Sequence, residues 1–230
     1  MNYQEIIDKL KTYKNPKNVE GMARFGINPK NTLGVSIYIL RPLAKEIQKN
    51  SSYTKSPEDL HQLAIQLWDS KIHEARILAG FIDIPAMITD AQMDEWVADF
   101  DSWDVCDQVI SNLFDKSPFA YKKAYEWSKR IPEFEKRAGF VMMAALAVHD
   151  KKAPDGKLMK FFPVIIREST DERNFVKKAV NWALRQIGKR NTNLREKSIK
   201  VAEDIIKNYP NSRSAQWIGK DAIRELSKKS

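Results

Sequence analysis

Phe175-Val-Lys-Lys-Ala-Val-Asn-Trp-Ala-Leu184 is the stretch that decides the fold. Phe175, Val176, Ala179, Val180, Ala183, Leu184 and, one turn on, Ile187 form an uninterrupted apolar stripe at the 3.6-residue period of an amphipathic helix. A looser version recurs: a basic residue, a small residue, then an apolar stripe. It is seen in His73-Glu-Ala-Arg-Ile-Leu-Ala-Gly-Phe-Ile82 and Phe134-Glu-Lys-Arg-Ala-Gly-Phe-Val-Met-Met143, and more weakly in Gln216-Trp-Ile-Gly-Lys-Asp-Ala-Ile-Arg224. The spacing between copies, about 31–41 residues, is near that of HEAT and armadillo repeats. In such arrays helices come in pairs, and the second helices line one surface.

Outward from these copies, nearly every window carries the helical period, and the 230 residues include only 8 glycines. Helices are predicted at 2–13, 17–25, 34–49, 57–69, 71–82, 90–100, 103–115, 118–129, 132–148, 156–169, 171–190, 193–208 and 212–228. Ser56-Pro57-Glu58, Ser117-Pro118, Thr89-Asp90 and Ser169-Thr-Asp-Glu172 read as starts, Gly26, Gly188 and Pro154-Asp-Gly156 as breaks. No linker or change of composition divides the chain, so one all-α domain over 1–230 is expected. No stretch approaches the ~18 apolar residues of a membrane span, and no secretory signal is visible. The single cysteine, Cys106, excludes an internal disulfide and a multi-cysteine zinc site, and its place in an apolar stripe marks it as a small core residue. A reducing cytoplasm fits.

Lys plus Arg number 39 against 30 Asp plus Glu, a net charge of +9, which points to a polyanionic partner, most often nucleic acid. The charge is uneven. Acids gather between Asp83 and Asp107, and residues 173–229 are strongly basic. An acid cluster in a basic protein has the look of a cation-handling site set in an anion-binding surface.

Three constellations stand out. In Asp101-Ser-Trp-Asp-Val-Cys-Asp107 a helix begins, capped by Ser102 or Asp101. Trp103 and Asp107 lie four residues apart on it, away from the stripe of Val105, Cys106, Val109 and Ile110. They are either a solvated helix start or a functional pair. Trp182 sits among Lys178, Arg185 and Lys189, with Arg190 beside them. It is either covered by a neighbouring repeat or a π-face for a sugar, base or cation, flanked by phosphate-binding charge. Arg137 heads the apolar run Ala138–Val148 and needs a partner, either an acid or a phosphate. Lys151 and Lys152 follow and would extend a phosphate track. The histidines His61, His73 and His149 have no metal-ligand spacing, and neither a nucleophile elbow nor a phosphate-binding glycine loop is present. Among catalytic residue types, a carboxylate remains.

Taken together, Gly34-Val35, Leu40-Arg41, Ala44-Lys-Glu-Ile47, Leu67-Trp-Asp-Ser70, His73-Glu-Ala-Arg76, Trp103-Asp-Val-Cys-Asp107, Arg137-Ala138 and Trp182-Ala-Leu-Arg185 resemble, in order and spacing, the AlkD-type HEAT-repeat alkylpurine DNA glycosylases of the DNA alkylation repair family. The resemblance spans about residues 20–190. It implies a right-handed superhelical array of HEAT-like repeats, an α-solenoid, holding duplex DNA. It also implies hydrolysis of the N-glycosidic bond of cationic N3- and N7-alkylpurines by a monofunctional enzyme. Asp107 matches the family's catalytic aspartate, Trp103 and Trp182 its two tryptophans that pack on the lesion's sugar-phosphate, and Arg137 its phosphate-contacting arginine. Lys178, Arg185, Lys189, Arg190, Lys151 and Lys152 are further expected DNA contacts. No cofactor, metal or membrane is implied. The expected partner is double-stranded DNA containing alkylated bases, met by a cytoplasmic monomer that joins the nucleoid when bound. No base pocket is legible in the sequence, and the resemblance implies approach to the lesion from the backbone side. Residues 21–30 depart from the family pattern, leaving Phe25 and Tyr38 as the candidate aromatics of this helical pair. The alternative reading is a HEAT-repeat protein that binds damaged or branched DNA without excision.

Overall fold

The structure, a computed structural model, describes residues 1–49 and 56–228. The described residues are helical, with no strand among them, and divide into two compact units, Met1–Ser117 and Pro118–Ser230. No helix among them is long and apolar enough to cross a membrane.

The first unit runs α1 (Tyr3–Thr12), α2 (Pro16–Arg24), α3 (Ile37–Gln48), α4 (Pro57–Asp69), α5 (His73–Ile82), α6 (Asp90–Ala98), α7 (Trp103–Asn112) and a 3-10 turn at Phe114–Lys116. Helix α5 is its centre, packed against α3, α4 and α7. Its residues from His73 to Gly80 are all buried, so the helix is walled on every side. The second unit runs α8 (Ala120–Trp127), α9 (Glu133–His149), α10 (Asp155–Met159), α11 (Phe162–Glu168), α12 (Asn174–Gly188), α13 (Thr192–Asn208) and α14 (Arg213–Leu226). Here α9 packs on α8 and α12, and α12 on α14. Within each unit the second helices of successive pairs therefore form a row: α3–α5–α7 and α9–α12–α14. These rows carry the repeated sequence phrases, as the repeat reading requires.

Most starts follow the capping chemistry. Ser56, Thr89, Asn191 and Ser212 each accept from the N–H three residues on. Asn2 and Glu5 close a capping box. The departures have local causes. Ser117 does not cap: the next helix waits until Ala120, and the Ser117 hydroxyl turns to the Met93 sulfur, 3.3 Å away. The predicted start at 171 slips to Asn174 because Asp171 takes the backbone N–H and guanidinium of Arg173 instead. The helix expected over 156–169 is broken in two, and Pro163 stands in the first turn of the second piece, where its missing N–H costs nothing. Pro154-Asp-Gly156, read as a break, opens α10. The expected helix from 34 starts at Ile37, since Gly34 has φ +80° and Ser36 caps.

Candidate functional site

Helix α7 presents two faces. Val105, Cys106, Val109 and Ile110 are buried, while Trp103, Asp104, Asp107 and Gln108 are half-buried. Trp103 and Asp107 are one turn apart on the half-buried side, as their spacing predicts. Asp107 is therefore a carboxylate held next to an indole and off the core.

The start of α7 is fixed by residues distant in sequence. Ser102 occupies the cap position, but its hydroxyl caps nothing in its own helix: it accepts from Asn28 N–H at 2.9 Å. The Asn28 side chain donates to Asp101 at 2.7 Å. Trp103 Nε1 donates to the Phe25 carbonyl at 3.0 Å. Three bonds thus tie the head of α7 to the segment after α2, and one of them sets the plane of the Trp103 ring. No local pattern in the sequence announces this, because the partners are 73–78 residues apart.

A second tie comes from α5. Glu74 is fully buried, and its carboxylate accepts from the N–H groups of Leu33 (2.9 Å), Gly34 (2.6 Å) and Val35 (3.0 Å). Such a charged cradle suits a loop whose Gly34 has a positive φ and would drive a Cβ to 2.3 Å from the Asn15 carbonyl oxygen. Beside it, His73 Nε2 lies 2.8 Å from Asp104 Oδ2, while Asp104 Oδ1 is buried with no hydrogen-bond partner. Burial alone would push His73 down. The hydrogen bond and charge of Asp104, helped by Glu74 and Asp101, outweigh it and hold the imidazole above its ordinary value. Two consequences follow. The stability that His73 contributes is complete below its unfolded pKa and is lost as pH rises through its higher folded one. In Asp104→Asn the burial effect is left to dominate, and the His73 ring signals should titrate below 6.5 by NMR; a midpoint still above that value would remove Asp104 as the cause.

Between α2, the loop at 34–37 and the heads of α5 and α7 lies a cavity of about 840 Å³. Its floor is apolar, formed by Ile27, Val35, Leu40 and Ile77, and Trp103 is one wall. Lys17, Glu20 and Arg24 of α2 line it too. Phe25, 75% exposed, stands at its edge, and Tyr38, the other candidate aromatic, is 84% exposed. The sequence gave no sign of a cavity. The one signal on offer was Gly21, a glycine in the middle of a helix.

The acids between 83 and 107 are dispersed among structural partners. Asp83 meets His61 at 2.6 Å and Gln92 at 3.1 Å, and Asp99 meets Arg76 and the Trp68 indole. Asp101 and Asp104 are bound as above. The reading of this stretch as one cation-handling cluster does not hold, since four of its members fix loops and helix heads.

In the second unit, Arg137 is buried and its Nη1 donates to the Phe175 carbonyl at 2.7 Å, so α9 and the first turn of α12 are joined there. Trp182 is half-buried on α12 and Lys178 is exposed. Arg185 lies 3.7 Å from Asp221 and 3.9 Å from Glu225, and Lys189 lies 2.7 Å from Glu225. Arg190 donates to the carbonyls of Ala147 and Ala153, clamping the turn after α9. Lys151 and Lys152 are exposed on that turn. The basic residues thus divide: Arg185, Lys189 and Arg190 are engaged inside the unit, whereas Lys178, Lys151 and Lys152 have no partner among the described residues.

No curated protein matches the chain. A solved structure with probability 1.00 of a shared fold comes from what is described as a new family of proteins related to the HEAT-like repeat DNA glycosylases, with affinity for branched DNA structures. The two share 19% identity over 88% of this chain and 83% of that one, with a TM-score of 0.74, and so share a fold. The family described as DNA alkylation repair enzyme matches residues 6–226, nearly the whole chain. With its all-helical paired architecture and the Trp103–Asp107 arrangement, the chain belongs to the DNA alkylation repair enzyme family.

Proposed function

We propose that this protein is a DNA glycosylase that hydrolyses the N-glycosidic bond of cationic N3- and N7-alkylpurines in duplex DNA. The observation that carries this reading is Asp107: a carboxylate kept off the core face of α7, one turn from an indole whose plane is set by the Phe25 carbonyl. Alkylation makes the purine a cation, so it departs as a neutral base and needs no general acid. As the C1′–N9 bond breaks, its electron pair goes to the purine and positive charge grows on the deoxyribose. Asp107 stabilises that charge and orients the water whose oxygen bonds to C1′. The faces of Trp103 and Trp182 present negative quadrupoles to the same cation. Arg137 and the basic residues of the second unit hold backbone phosphates. Among these, Lys178, Lys151 and Lys152 contribute most, since Arg185, Lys189 and Arg190 must first leave internal partners. The work is done on duplex DNA by a single domain of 1–230 acting as a monomer.

The structural likeness supports a second reading, since the matched protein is described by its affinity for branched DNA. Here the same basic surface would bind DNA junctions with no excision. One experiment separates the two. Methylated duplex DNA is incubated with the protein, and released 7-methylguanine is measured beside the affinity for paired and four-way-junction DNA. Release with turnover is expected. Salt-sensitive junction binding without release would replace the glycosylase by the second reading.

A further inference from the structure

We propose that the cavity of the first unit, bounded by α2 and the head of α7, receives a single unpaired nucleobase of the bound DNA, stacked against Trp103. The proposal rests on DNA being the partner, as argued above, and adds a place for a base that has left its stack.

Four observations meet at this cavity. Its size, about 840 Å³, is that of a small-molecule site. Its lining is right for a flat apolar ring with polar edges: Ile27, Val35, Leu40 and Ile77 form the floor, and Asp104 and Gln108 add polar groups beside Trp103. The Trp103 ring is held in one plane by its bond to the Phe25 carbonyl, which favours stacking by removing the cost of ordering it. At the rim, Lys17 and Arg24 are exposed cations with no partner among the described residues, suited to the phosphate of the same nucleotide, with the single acid Glu20 between them in sequence. Phe25, three-quarters exposed at the edge, offers a further π-face. An aromatic wall with cations along its edge is how proteins hold unpaired bases without reading their sequence.

Gly21 is the fourth observation. It lies within α2 and lines the cavity. A glycine there weakens the helix, and a Cβ at this position would meet nothing within 4 Å. No packing demands it, in contrast to Gly34. What its absence of side chain does is leave the space beside Trp103 open.

The test uses the full chain and two duplexes of equal length, one fully paired and one carrying a single unpaired 2-aminopurine. Wild type should bind the second about 10-fold more tightly and quench its fluorescence by stacking. Gly21→Leu should fill the cavity, keep its affinity for paired duplex, and lose both the preference and the quenching. Its thermal midpoint should not fall, because leucine is the better helix former and meets open space. A preference that survives Gly21→Leu, or no preference in wild type, would overturn the proposal. If paired duplex is not bound at all, the DNA reading itself fails. The cavity is then judged by titrating dGMP while following the Trp103 indole N–H by NMR. A shift seen in wild type and absent from Gly21→Leu supports the nucleobase site, and an unmoved signal in wild type rejects it.

Discussion

Asp107→Asn is expected to slow release of 7-methylguanine from methylated duplex DNA by at least about 100-fold, the usual cost of losing one electrostatic group aimed at developing charge. Asparagine is nearly isosteric, so it keeps the shape of the half-buried face of α7 and removes only the negative charge. The ground state carries its cation on the alkylated base. In the transition state that charge moves to the sugar, where Asp107 is proposed to lie. The loss should therefore appear in the single-turnover rate and not in binding. Affinity for duplex should stay the same or rise, because a negative charge near phosphates has gone. Circular dichroism and a urea titration would confirm that the variant is folded. A single-turnover rate within about threefold of wild type would sink the mechanism, whatever the binding.

What could be read from the sequence, and what could not, follows the range of the interactions. The helical phrases at 73–82, 134–143 and 175–184 depend on neighbours three and four residues away, so pattern alone located α5, α9 and α12. For the same reason Trp103 and Asp107 could be placed off the core of α7, and Cys106 in it. The expectation about Lys189 and Arg185 was only half complete. Helical spacing put them on one face of α12, but their pairing with Asp221 and Glu225 depends on which helix packs alongside. The cavity was out of reach altogether. Its walls come from α2, the 34–37 loop, α5 and α7, and its floor residues look in the sequence like any other buried aliphatics.

Glu74 shows the same limit, and replacing it has the largest expected effect on stability. From the sequence, Glu74 and Glu46 are both helical glutamates near basic residues. In the structure Glu46 is 55% exposed, paired with Lys9, whereas Glu74 has no exposure and accepts three backbone N–H groups. An exposed pair contributes little, because both charges are well hydrated when apart. A buried carboxylate bonded to three donors is different: each charge-assisted bond is worth about 1.5–3 kcal/mol, and an unmet buried donor carries its full desolvation penalty. Glu74→Gln replaces one acceptor oxygen with an amide that points its own N–H at a donor. It should cost about 3 kcal/mol in urea unfolding, with the loop at 33–35 released from α5. Glu46→Gln should leave the unfolding midpoint unchanged. Since that loop lies beside the cavity that Trp103 walls, near-ultraviolet circular dichroism of Glu74→Gln should change before unfolding begins. A loss under about 1 kcal/mol would mean that the three N–H groups find other partners, and that the cradle does not hold the cavity in shape.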